Sequence, residues 1–244
     1  MKAMILAAGL GTRLQPLTDN RPKALVEVAG QTLLEIALRR LASFGIREVI
    51  VNVHHFADMI VEYLKRNGDF GMRIEISREE VLLDTGGGLK KAAWFFKEAP
   101  EPFVLHNVDV LSTIDLNRML EFHQDNRALV TLAVQDRKTS RYLLFDAHNQ
   151  LRGRRAGNEP SDLVNSAANI QAFAFSGIHV ISPRLLDMLS EDGAFSIIDS
   201  YLRLAGRGEK IVAFRADEYY WRDLGKPENV AQATQDVERQ IVRL

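Results

Sequence analysis

The sequence contains no cysteine, which excludes a disulfide framework, a thiolate zinc site and a cysteine nucleophile. Net charge is nearly absent too: 31 Lys and Arg against 32 Asp and Glu leave −1, so no basic excess draws the chain onto nucleic acid. Any polyanion it handles must be small and held locally. No apolar run approaches the roughly 20 residues of a membrane-spanning helix, so no membrane partner is expected. The opening Met1-Lys2 leads straight into the strand-like AMILAA, without the longer apolar core and small-residue cleavage site of a secretory signal, and a cytoplasmic protein is expected. Histidine is sparse, with no HExxH and no pair at helical spacing, so no zinc site is expected. His54 and His55 are adjacent and cannot share a strand face. His106 lies in a strand and reads as a core residue. There is no internal repeat and no low-complexity tract.

What is present is an ordinary globular composition, 46% hydrophobic and 26% charged over 244 residues, enough for one large core. A single domain is expected, with a nucleotide-binding half (1–128) and a second half (129–244). In the first half, strand-like and helix-like segments alternate. Strands are expected at 4–7, 48–53, 73–77 and 103–106, and helices at 33–44, 57–66, 85–96 and 116–124. This alternation predicts an α/β fold with a mainly parallel sheet covered on both faces. After residue 128 the segments 129–134, 141–145, 150–154 and 170–181 are all strand-like, which predicts an antiparallel insertion or second lobe. Helices are expected at 183–189 and 196–205, a strand at 210–214, and a closing helix to about Arg239. The polar stretch 155–169 reads as a mobile loop.

Three features carry chemistry. The first is 3-AMILAAGLGTRLQPLTDNRPKALV-26, a buried strand that leaves through Ala8-Gly9-Leu10-Gly11-Thr12-Arg13. Glycines there let backbone N–H groups approach an anion, and a guanidinium can add a bidentate contact. The stretch is not a Walker A, because no Gly-Lys-Ser/Thr follows. It is not a dinucleotide fingerprint either, because the third glycine is missing, which excludes a Rossmann dehydrogenase. Taken alone, such a turn is equally compatible with a surface arginine on a tight bend. The second feature is a pair of distant aspartates, Asp109 in 103-FVLHNVDVLS-112 and Asp223 in 219-YYWRDLGKPENV-230. A carboxylate at the carboxyl end of a central strand projects into the ligand crevice of an open α/β sheet. Two carboxylates from different strand ends can share one hard cation, with phosphate oxygens and water completing its shell. The third is Thr85-Gly86-Gly87-Gly88, which opens a helix where free N–H groups and a partial positive charge gather. Close helix packing is the other reading of that glycine run.

The string A-A-G-L-G-T-R-L-x-P-L-T followed by R-P-K-A-L-V-x-V-A-G resembles the signature of the sugar-1-phosphate nucleotidylyltransferases. The resemblance covers essentially the whole chain. It implies a Rossmann-like three-layer α/β/α fold with a mainly parallel mixed sheet and a small antiparallel sugar-binding insertion. By position, Ala8, Gly9, Gly11 and Thr12 match the loop that wraps the nucleoside triphosphate, and Arg13 and Lys23 match its catalytic cations. Ala24 stands where the family usually has proline. Asp109 and Asp223 match the family's metal ligands, implying Mg²⁺, although Val108 replaces the usual glycine and is expected to narrow the approach. Leu83, Thr85, Gly86 and Gly87 match the nucleobase segment. Asn107, Asn169, Ser176 and Gly177 lie where the family contacts sugar. The family's Glu-Lys element is absent, and the hairpin LRGRRAGN offers Arg152, Arg154 or Arg155 instead.

The implied reaction joins an NTP and a sugar 1-phosphate into an NDP-sugar with release of pyrophosphate. Among compact members, the chain resembles those that transfer uridylyl to N-acetylmuramate 1-phosphate. Guanylyl transfer to mannose or heptose 1-phosphate and thymidylyl transfer to glucose 1-phosphate are the alternatives. A catalytically inactive, nucleotide-sensing regulatory protein is the reading of another class. It would predict loss of Arg13, Lys23, Asp109 or Asp223, and all four are present. Oligomeric state is not legible.

Overall fold

Consecutive residues of the first strand, β1 (Lys2–Leu6), enter two different cores, as a period of two requires of a strand buried on both faces. Ala3 and Ile5 join the layer beneath one face of the sheet, Met4 and Leu6 the layer beneath the other. The computed structural model describes residues 1–97, 100–157, 162–164 and 169–244. After β1 the chain makes a long excursion with two short 3-10 turns and a small hairpin, β2 (Glu27–Val28) and β3 (Gln31–Thr32). It then enters α1 (Leu33–Ser43), where Thr32 caps the first turn by accepting the Glu35 N–H. There follow β4 (Glu48–Val53), α2 (Ala57–Arg66), β5 (Arg73–Arg78), α3 (Asp84–Ala92) and β6 (Phe103–Asn107). Strands β1, β4, β5 and β6 are parallel neighbours, so their carboxyl ends line one edge of the sheet. The βα pattern expected for this half is present.

Next come the short β7 (Val110–Ser112) and α4 (Leu116–Asp125), whose first turn is capped by the Asp115 carboxylate. The second half holds β8 (Val130–Gln135), β9 (Arg141–Phe145), β10 (Leu151–Ala156), β11 (Asp162–Leu163) and β12 (Gln171–Ile181). It closes with α5 (Ile197–Gly206), β13 (Ile211–Arg215), β14 (Trp221–Asp223) and α6 (Pro227–Glu238). These strands do not form a second lobe. The eleven-residue β12 pairs antiparallel with β6, Ile178 opposite His106, and so continues the same ten-stranded sheet in the order β11-β10-β9-β12-β6-β1-β4-β5. β8 also pairs with β12, and β13 adds to β8 in parallel. A register shift between Phe175 and His179 bends β12, so its first part serves β9 and its last part serves β6.

Smaller corrections have local causes. β1 stops at Leu6, one residue short of expectation, because the Ala7 N–H turns to the Asn52 side chain. The helix expected at 85–96 becomes 3-10 from Ala93 onward, and the segment after Pro183 is 3-10 throughout. Of the loop expected at 155–169, residues 155–156 complete β10 and 162–163 form β11, while 158–161 and 165–168 lie outside the described residues. Among the described residues no helix is long and apolar enough to cross a membrane.

Candidate active site

The Gly-rich turn is held from below. Gly11 adopts φ +69°, and a Cβ there would stand 3.1 Å from both Lys23 Cβ and Thr18 Cγ2, so conformation and space both demand glycine. The Thr18 hydroxyl donates to the Gly11 carbonyl at 2.9 Å, and the Leu14 N–H donates to it at 2.8 Å. Gly9 faces the Lys23 ammonium, 3.6 Å from where its Cβ would be. The loop and Pro22-Lys23 are thereby one unit, while Thr12 and Arg13 remain exposed.

Two acidic residues meet this unit. Asp109 follows the end of β6, and β7 pairs antiparallel with β14 so that Val110 lies opposite Asp223. The Leu224 N–H donates to the Asp109 carbonyl at 2.8 Å, which locks the two acidic segments side by side. Lys23 Nζ contacts Asp109 Oδ2 at 2.9 Å. Burial alone would raise the Asp109 carboxyl, but the Lys23 charge and hydrogen bond, helped by Arg13, outweigh it and hold the group below the usual carboxylate range. Asp223 Oδ1 accepts the Gly225 N–H at 2.7 Å. At Gly225 a Cβ would lie 2.8 Å from both Arg13 Nη2 and Asp223 Oδ1, so Arg13 and Asp223 flank the same glycine. Val108 does not narrow this approach. Its side chain is buried in the core shared with β1 and α1, so the expected steric effect is absent.

Two adjoining cavities open beside these charges. One of about 340 Å³ is lined by Ala8, Gly9, Lys23 and Asp109 at one end and by Asn52, Glu79 and Leu82 at the other. A larger one of about 630 Å³ is bordered by Tyr142, Phe175, His179 and Ser196. Asp84, Thr85 and Asn107 line both, which places them at the junction. Among the expected site residues, Ala8, Gly9, Lys23, Thr85, Asn107 and Asp109 therefore converge on one crevice. Asp109 and Asp223 lie on adjoining segments, and each offers a hard oxygen donor. Among the described residues no third His, Cys, Asp or Glu joins them.

Gly86 and Gly87 do not line either cavity. Their N–H groups both donate to the Phe195 carbonyl, at 2.9 and 3.4 Å, and Leu83 exchanges its own carbonyl with the Phe195 N–H. A Cβ on Gly86 would fall 2.2 Å from the Phe195 ring, and one on Gly87 2.3 Å from the Gly193 carbonyl. The glycine run serves close packing. Gly87→Ala is expected to destabilise the protein by about 2–3 kcal/mol through overpacking against backbone. That corresponds to a fall in Tm of roughly 5–10 °C for a chain of this size. Calorimetry checks it, and an unchanged Tm would show that the 193–195 segment yields freely.

The sugar-side expectations also shift. Ser176 is fully buried, and its carbonyl accepts the Trp221 Nε1–H at 2.8 Å. Gly177, at φ +75°, leaves room for Val110 and Asn107, whose atoms would lie 2.7 and 3.0 Å from a Cβ. Neither residue lines the larger cavity, whereas Phe175 and His179 do. Asn169 is exposed and borders neither cavity. Arg152 is turned aside to Asp146 at 2.7 Å. Arg154 and Arg155 line the larger cavity, the first paired with Asp199 at 2.6 Å and the second over the Tyr142 ring.

Sequence reasoning missed Asn52 and Glu79. Asn52 Oδ1 accepts the Ala7 N–H at 2.7 Å, its Nδ2 donates to Glu79 Oε1 at 2.7 Å, and Glu79 Oε2 accepts the Leu83 N–H at 3.0 Å. This chain of contacts ties the end of β1, where the Gly-rich loop begins, to the segment opening α3. The available signal was position, since Asn52 ends a parallel strand as Asn107 does. His106 is a core residue, as expected, with Nδ1 2.7 Å from the Asn107 carbonyl and burial lowering its pKa to about 4. His179 receives the Tyr201 hydroxyl at Nδ1, and burial with the neighbouring His106 lowers it to about 3. Both imidazoles are neutral at physiological pH.

A sequence model of the nucleotidyl transferase family matches residues 2–240. The N-acetylmuramate alpha-1-phosphate uridylyltransferase of Caulobacter vibrioides is 34% identical over 93% of this chain and 92% of its own length. The mannose-1-phosphate guanylyltransferase of Mycobacterium tuberculosis is 29% identical over 98% of this chain, which spans only 65% of that longer protein. The crystal structure of HddC from Yersinia pseudotuberculosis, complexed with GMP-PN, superposes with a TM-score of 0.77 at 22% identity, covering 96% of this chain and 98% of that one. That likeness shows the fold.

Proposed function

The chain belongs to the nucleotidyl transferase family, and from that premise we propose that it transfers a nucleotidyl group from an NTP to a sugar 1-phosphate, with pyrophosphate as the other product. The observation that carries the reading is the Lys23–Asp109 pair in the wall of the smaller cavity, with Asp223 on the adjoining strand and Arg13 beside it at Gly225. UTP with N-acetylmuramate 1-phosphate is the first assignment, favoured by the relative matched over nearly its full length. GTP with mannose 1-phosphate is the second.

In this reading the smaller cavity takes the nucleotide and the larger one the sugar. A sugar phosphate has its second pKa near 6 on general grounds, so the nucleophilic oxygen is already ionised at neutral pH and needs no general base. Buried His106 and His179, neutral and held by other partners, are consistent with that. The protein must align the attacking oxygen, the α-phosphorus and the leaving pyrophosphate, and must neutralise their charge. The N–H groups of the Ala8–Gly11 turn and Arg13 hold the departing phosphates. Lys23 spreads charge from the α-phosphate, leaving its apo partner Asp109 to do so. Asp109 and Asp223, both oxygen donors and one held ionised by its surroundings, suit a Mg²⁺ ion, which when bound supplies positive charge to the reacting phosphates. The Asn52–Glu79 relay keeps the base segment in register with the phosphate loop. Retention of all four charged groups argues against a purely regulatory protein.

The test is a pyrophosphate-release screen of the four NTPs against N-acetylmuramate, mannose, heptose and glucose 1-phosphates with Mg²⁺. The largest kcat/KM is expected for the first pair. A preference for GTP and mannose 1-phosphate would establish the second assignment. Release from no pair would leave a nucleotide-binding protein without this chemistry.

A further inference from the structure

Arg137 stands two residues beyond the end of β8, and its guanidinium lies 3.6 Å from the centre of the Trp221 ring. Its Nη2 donates to the Phe175 carbonyl at 2.7 Å. The platform is itself anchored, because Trp221 Nε1 donates to the Ser176 carbonyl. Arg137 is half-buried, and its Nε is buried with no acceptor. Among the described residues it has no carboxylate within ion-pair distance, whereas the comparably placed Arg152, Arg203 and Arg222 are paired with Asp146, Glu191 and Asp236. A partly desolvated cation without a counter-charge is costly to hold. Burial lowers its pKa from the ordinary arginine value, with Asp223 and Tyr142 opposing that.

The location suggests what supplies the missing negative charge. Phe175 borders the larger cavity and Trp221 precedes Asp223 by two residues on β14, so the guanidinium, which lines neither cavity itself, bridges a residue of the cavity wall and the strand that carries Asp223. The triphosphate already has Arg13 and Lys23. For the phosphate of the second substrate the hairpin offers Arg152, Arg154 and Arg155, but Arg152 is paired with Asp146, Arg154 with Asp199, and Arg155 lies over the Tyr142 ring. Resting on the reading above, we propose that Arg137, clamped face-down on Trp221, is the residue that binds the phosphate of the sugar 1-phosphate. Stacking fixes the plane of the guanidinium and leaves its edge for a charge-assisted contact.

The experiment measures kcat and both KM values for Arg137→Gln and Arg137→Lys, with N-acetylmuramate 1-phosphate and mannose 1-phosphate as probes. Loss of a charge-assisted contact is expected to raise the KM for the sugar phosphate about 10- to 100-fold in the glutamine variant. The NTP KM should stay within about twofold, and lysine should restore part of the loss because it keeps the charge without the planar fork. An unchanged sugar-phosphate KM overturns the proposal. So does a parallel rise of both KM values with a lowered Tm, which is what loss of a mere prop for Trp221 would give. If the wild type turns over neither probe, the functional reading fails separately. Calorimetric titration of wild type and Arg137→Gln with the same two sugar phosphates then decides the contact: weaker binding by the variant supports it, and equal or absent binding overturns it.

Discussion

An Asp223→Asn variant is expected to lose about three orders of magnitude in kcat, roughly 4 kcal/mol of transition-state stabilisation, with its fold intact. Asparagine keeps the shape and can still accept the Gly225 N–H, so the turn into α6 survives. It lacks the charge that a hard cation requires of its ligand. Asp223 is half-buried and, among the described residues, makes no ion pair within contact distance, so its replacement breaks no direct pair and Tm should move by less than about 2 °C. Asp109→Asn would also abolish turnover but is a poorer probe. It would leave the Lys23 ammonium, whose side chain is only 15% exposed, facing a neutral amide. Breaking such a buried pair costs about 3–5 kcal/mol. Turnover of Asp223→Asn within tenfold of wild type, read by pyrophosphate release across a Mg²⁺ series, would sink the assignment of the acidic pair.

Lys23→Met is expected to lower kcat by about 10²- to 10³-fold, since it removes a preorganised cation from the triphosphate. It should also change the pH profile. In the wild type the Asp109 carboxyl is held below its ordinary range, because the Lys23 contacts and Arg13 outweigh the effect of burial. The stability this ionisation contributes is present above the unfolded-state pKa of an aspartate and is lost only as pH falls through the lowered folded-state value. With methionine at 23, burial acts with only Arg13 and the local backbone opposing it, and the carboxyl shifts upward. The acid limb of the pH–rate profile should therefore move toward neutrality, and the variant should lose less stability on acidification than wild type, because less of its stability depends on Asp109 being ionised. An acid limb at the same pH in both proteins would show that the 2.9 Å contact does not govern Asp109.

Several features were readable because their causes are local. The turn at Gly9–Gly11 declares itself through glycine at φ +69°, and Thr32 declares the start of α1 through a side chain that reaches three residues on. Asp109 was findable because strand-end position in a parallel sheet implies orientation toward the crevice. Asp223 stood out as a second strand-end carboxylate, but nothing near it in the sequence shows that β14 pairs with β7. Gly86 and Gly87 line neither cavity, and a glycine run signals close approach without saying of what. Here the Phe195 ring approaches Gly86 and the Gly193 carbonyl approaches Gly87. Ser176 and Gly177 missed the cavity by one or two residues, because the register shift in β12 decides which side chains face it.

The sequence by itself determined the order of strands and helices, the phosphate-turn geometry and the identities of the four charged residues, since period, capping and backbone freedom act within a few positions. Only the tertiary structure decided that the second half extends the first sheet. It alone also decided that Val108 turns into the core and that Arg137 rests on Trp221 with no carboxylate paired to it among the described residues. Those outcomes depend on strand pairings between distant segments, where a shift of one residue exchanges the buried and the open face.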